Sequence, residues 1–191
     1  MSEHNNKIDT KPDKTTMVLI DGVEHYPHCN GGGLVAVTAH VDPTAYVERW
    51  ARVSGNARIH SRATILGKAQ ISGNAEVFDD AQVYGNARVF GSARVYDKAR
   101  VFGTAQISGN AVVSGNAWVH DEARVSGNAR VGGNAWVFDS AQVFRDANVS
   151  DNAPVSDDAQ IGNEASVSGD AVIHGDALVA KTDVVTTGRL R

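Results

Sequence analysis

Apolar residues recur along this chain with a period of six. From Val35 to Ile173 every sixth residue is Val or Ile, 24 times out of 24, and from Ala39 to Ala177 every sixth residue is Ala, again 24 out of 24. No insertion or deletion disturbs the phase over 144 residues, so every repeat must fill an equivalent place. One β-branched and one very small inward residue in each six describe a short strand, Ala-x-Val-x, followed by a tight corner. Counted from the Val or Ile, the third position is Gly in 12 repeats, and the fourth is Asn in eight and Asp in five. These residue types tolerate a left-handed backbone, which marks both positions as the corner. A strand of four residues is not stable alone, but identical strands stacked about 4.8 Å apart satisfy one another's backbone groups. The repeats must therefore coil.

The ends read differently. Two apolar stretches, MVLI and VEHY, flank Asp21-Gly22, a strong hairpin signal, and Asn30-Gly31-Gly32-Gly33 follows as a hinge. The expected plan is a polar disordered tail over 1–16, a hairpin cap with its Gly-rich hinge over 17–34, the coil over 35–178, and a C-terminal cap or tail over 179–191. Solenoid ends need such covers, because an open last coil is a sticky edge.

The repeat, with segments such as VSGNAR, ISGNAE, VYGNAR and VGGNAW, resembles the hexapeptide repeat of the left-handed parallel β-helix. That resemblance spans Val35 to Leu178 and implies an all-β triangular prism with three strands per 18-residue coil, so that 24 repeats make about eight coils. The left hand is implied by the resemblance alone, since the general rule for crossovers favours the right. The Gly-Asn-Ala flavour, and NGGGLVA leading into the first coil, are similar to short hexapeptide proteins of phages and prophages, some of which carry an acetyltransferase label. The wider family contains many homotrimeric acyltransferases that bind an acyl-coenzyme A between subunits.

A period of 18 sorts the outward residues onto three faces. One carries Arg52, Gln70, Arg88, Gln106, Arg124 and Gln142, an alternation that avoids stacking like charges. A second is mixed, with Arg58, Glu76, Arg94 and Arg130 beside His60, Phe78 and Tyr96. The third collects Leu66, Tyr84, Phe102, Trp118, His120, Trp136 and Phe138. Aromatics stacked along a sheet stabilise it, but a surface this apolar is more than a monomer normally shows and marks a contact site. A homo-oligomer, with a trimer favoured, is the expected assembly. A host macromolecule is a further expected partner. A carbohydrate surface is an alternative, because rings also suit sugars.

Composition narrows the chemistry. A formal net charge of −4 gives no general attraction to nucleic acid or anionic membrane. No apolar run approaches the roughly 18 residues of a membrane helix, residues 1–16 lack the apolar stretch of a secretory signal, and the single Cys29 cannot form an internal disulfide. These features point to the cytoplasm. No catalytic residue is assigned and no cofactor is expected. Under the acyltransferase alternative, acyl-CoA would be the co-substrate and His120 the general base, with His40, His60 and His174 as weaker candidates. The acids nearest His120, Asp121 and Glu122, lie at the corner, off its face, and are not expected to orient it. His25, His28 and Cys29 carry ligand chemistry but lack a fourth partner, so no metal site is assigned to them. The acidic corners of the C-terminal half offer oxygen ligands for calcium, and solvated turns explain them equally well.

Overall fold

A computed structural model describes residues 17–191. The polar segment 1–16, expected to be disordered, lies outside the described residues. All regular structure in the described part is β, and every coil strand is two or three residues long. Successive strands go to three different sheets in rotation, and each sheet contains nine parallel strands. Partners lie 18 residues apart, as in Arg88↔Gln106 and Trp118↔Trp136. The chain is a β-solenoid of nine three-sided turns.

The inward assignment holds at every repeat from Ala45 to Ile173, while Val41 in the first turn is only partly buried. The Val, Ile and Ala positions from Ala45 to Ile173 are essentially inaccessible, and they form one continuous apolar column. Burying a β-branched side chain contributes about 1.5 to 3 kcal/mol, and so many identical small increments make the column the main source of stability.

The two corner positions do different jobs. From Gly55 onward the left-handed residue is the third one, whether Gly, as at Gly109 (φ 68°), or Asp, as at Asp121 (φ 55°). A Cβ at Gly109 would stand 2.8 Å from the Gly127 carbonyl oxygen, so a side chain there would require the backbone to shift as well as to hold a positive φ. The Asn residues at the fourth position are not left-handed. Their amides instead form ladders along the corners: Asn110 Nδ2 donates to Asn128 Oδ1 at 3.0 Å, and Asn128 Nδ2 to Asp146 Oδ1 at 2.8 Å. The acidic corners use their oxygens internally too. Asp97 accepts from the Gly115 N–H at 2.9 Å, Asp151 from Gly169 at 2.9 Å and Asp157 from Gly175 at 2.8 Å. Each of these carboxylates thus has one oxygen engaged by the backbone of the next turn.

The N-terminal hairpin is present. Strand β1 (Val18–Ile20) pairs antiparallel with β2 (Val23–Pro27) across Asp21 and Gly22, both with positive φ, and β2 pairs with β3 (Leu34–Ala36) of the first turn. The Gly-rich segment is packed down: Gly33 N–H donates to Val47 O, and Val47 N–H to Asn30 O. A Cβ on Gly31 or Gly33 would collide with Val47, which explains those two glycines by close approach. The hairpin thus covers one sheet and the loop after it covers a second.

The C-terminal expectation needs correction. Residues 179–191 do not simply cap or trail; with Leu178 they build a ninth turn through Leu178–Val179, Val184–Val185 and Arg189–Leu190. Val179 and Val185 keep the six-residue phase, and the shift comes only at the last corner, where Gly188 turns the chain at φ 91°. Leu178 and Val184 are exposed on this last turn.

Candidate functional site

The face anticipated as aromatic is formed by the sheet that runs from Tyr46–Val47 to Arg189–Leu190. Because Val83, Val101, Val119 and Val137 point inward at the same height in successive turns, their outward neighbours are forced into columns. Tyr84, Phe102, His120 and Phe138 form one unbroken stack, with successive centroids 4.7, 4.6 and 5.3 Å apart and planes within 12° of parallel. Beside it Trp118 and Trp136 stack at 5.3 Å, and Phe102 meets Trp118 edge-on at 6.1 Å. Leu66 is half-buried one turn before Tyr84. All seven residues singled out on this face therefore share it.

These separations are close to the rise of one turn, too short for parallel rings lying side by side in one plane. The rings stack along the solenoid axis, cover one another's faces and turn their edges outward. Trp118 is covered on one side by Trp136 and approached by the Arg100 guanidinium at 5.1 Å. Trp136 remains 47% exposed. From Thr64 to His174 the only permanent charge at the outward positions of this face is Arg100. Burial raises the Tyr84 hydroxyl above the ordinary tyrosine range, with the Arg100 charge opposing it.

His120 is better held than its sequence neighbours suggested. Its Nδ1 lies 2.8 Å from Asp121 Oδ2, so the corner acid does orient the ring. The left-handed turn at Asp121 bends the chain back and brings this carboxylate to the imidazole, a reversal that an alternating in-and-out pattern does not anticipate. With Phe102 and Phe138 on its two faces, the ring presents only an edge.

The N-terminal ligand candidates do not converge. His28 Nε2 is 3.9 Å from Cys29 Sγ, while buried His25 directs Nδ1 to the Val23 carbonyl. A different trio does come together on the mixed face: the donor atoms of His40, Asp42 and His60 lie within 4.8 Å of one another. His174, considered as a base, has Nδ1 3.8 Å from Asp157 Oδ2.

Comparison with known proteins gives one result that bears on this architecture. A family model described as the YdcK beta solenoid repeat matches residues 81–97, 105–121 and 123–139, three segments each just short of one turn, which together carry Tyr84, Trp118, His120, Trp136 and Phe138. No curated protein matches the chain. The chain is thus a repeat β-solenoid protein whose central turns are similar to YdcK-type solenoid repeats.

Proposed function

We propose that this protein is a non-catalytic binding or structural module that associates with copies of itself through the aromatic face. The observation that carries this reading is the Trp118–Trp136 pair beside the four-ring column, with Trp136 half exposed on a face almost free of charge. Stacking along the axis accounts for the ring faces but not for the half-exposed Trp136 at the end of its stack. The other two faces repeat arginines, which oppose self-contact. Aromatic anchors surrounded by smaller apolar groups are the pattern of a contact surface. A trimer is the proposed number, by resemblance to hexapeptide proteins. Phage or prophage origin and a host or defence protein as further partner belong to the same proposal. The test compares sedimentation of the native chain with Trp136→Glu and with Gln106→Glu on the arginine-glutamine face. The first substitution is expected to dissociate the assembly and the second to leave it intact; equal behaviour of the two would contradict the reading.

A second reading has one observation in its favour. The His120–Asp121 contact at 2.8 Å is the pairing a general base requires, and it supports an acyltransferase that takes acyl-CoA at an intersubunit groove. A carbohydrate surface is the third reading, and the rings that stack on a neighbour on one side only, Tyr84, Trp136 and Phe138, are those that could receive a sugar.

A further inference from the structure

We propose that His40, Asp42 and His60 bind one divalent transition metal ion, with zinc the best match to two imidazoles and a carboxylate. The site lies on the mixed face near the N-terminal end, apart from the aromatic face, and its existence does not depend on self-association.

The fold builds the trio by two simple spacings. His40 opens the strand His40–Val41 and Asp42 follows it directly, so the two lie two residues apart on either side of Val41. Asp42 and His60 are 18 residues apart and occupy the same place in successive turns, with His40↔Arg58 and Val41↔Ile59 fixing the register. His40 Nε2 stands 3.3 Å from Asp42 Oδ1, and His60 Nδ1 stands 3.6 Å from Asp42 Oδ2. Donors bound tetrahedrally at about 2.1 Å from zinc are separated by about 3.4 Å, so His40 Nε2 and Asp42 Oδ1 already fit a tetrahedron's edge, and all three donors lie within 4.8 Å of one another. His60 Nδ1, turned to the other carboxylate oxygen, has to swing toward Oδ1 and His40, and both imidazoles lie on the surface, where side chains move without disturbing the core.

The carboxylate is prepared for the role. The Ser61 N–H donates to its Oδ2 at 3.1 Å. With Oδ2 fixed by that backbone donor, Oδ1 is free to ligate, the supporting arrangement that metal carboxylates use. Arg58, directly next to His40 in the following turn, is exposed, so its charge is screened by solvent. Three protein donors leave the fourth position to water, the pattern of zinc sites that act on a ligand rather than of closed structural sites. The ion would also tie the first turn to the second.

The test uses the untagged full chain, stripped with a chelator and dialysed against Zn²⁺ alone. One zinc per chain is expected, and Co²⁺ in its place should give the visible absorption of a four-coordinate nitrogen and oxygen site. Asp42→Asn and His60→Ala should each weaken zinc binding at least tenfold, while the double variant His28→Ala with Cys29→Ala should not. Circular dichroism of each variant checks the fold. In the native chain, zinc should shift the imidazole NMR signals of His40 and His60 and leave those of His120 and His174 in place. Failure to bind zinc, binding unchanged by His60→Ala, or loss in the His28 and Cys29 variant instead would overturn the proposal.

Discussion

Replacing Phe102 by Ala removes the ring that has the most aromatic neighbours. Phe102 stacks on Tyr84 at 4.7 Å and on His120 at 4.6 Å, and touches the Trp118 edge at 6.1 Å. Phe90 provides the reference: it occupies the equivalent place on the arginine-glutamine face, between Ser72 and Ser108, and its aromatic partner is a cation, Arg88, at 5.6 Å. Both substitutions delete the same atoms from half-buried sites, so the transfer loss largely cancels between them. What remains is the stacking. Aromatic pairs contribute about 0.5 to 1.5 kcal/mol each beyond area, so two stacked pairs make Phe102→Ala about 1 to 3 kcal/mol more costly than Phe90→Ala. In a chain of this size 1 kcal/mol moves the melting temperature by about 2 to 4 °C, and the midpoint of that range gives a further drop of about 4 to 8 °C. Thermal unfolding by circular dichroism reads it, repeated at several protein concentrations, because assembly through the same face adds a concentration-dependent part that stacking does not have. Equal losses in the two variants at low concentration would refute the ladder as a source of stability.

Other expectations come from the core, the face and its histidine. Ala105 is fully buried, with Ala87 and Ala123 in the adjoining turns, and Ala105→Leu should overpack the column and cost about 1 to 3 kcal/mol in chemical unfolding; an unchanged midpoint would mean the inward assignment is wrong. The Tyr84 hydroxyl should ionise above the ordinary tyrosine range in an ultraviolet titration, since burial outweighs the opposing Arg100 charge. Its folded pKa is raised, so its contribution to stability is complete below the unfolded pKa and lost as pH rises through the folded one. If the acyltransferase reading holds, acetyl-coenzyme A should bind saturably and His120→Ala should abolish that binding. Its absence from the native chain would remove that reading.

The fold was legible because the sequence repeats a physical constraint. Val or Ile and Ala at fixed phase leave only one surface to bury, and Asp21-Gly22 specifies the hairpin turn by its need for two positive φ values. The ninth turn was hidden because Asp183 stands where the six-residue series of Ala would continue and the last repeat is one residue short. Membership of the aromatic face followed from counting by 18, but ring orientation did not: whether rings lie flat or stack depends on the distance between turns. The His120–Asp121 contact depends on a left-handed backbone at an Asp, which composition allows without requiring. The His40, Asp42 and His60 trio was within reach of the same arithmetic, since two steps of 2 and 18 define it. Reading each histidine as an isolated base concealed the carboxylate between them.

The central claim is that the aromatic face is covered by further copies of the chain, and the mass of the native protein in solution tests it most directly. Light scattering during size-exclusion chromatography at micromolar concentration should give about three times the 20.2 kDa chain mass. A mass of one chain, unchanged as concentration rises, would contradict it.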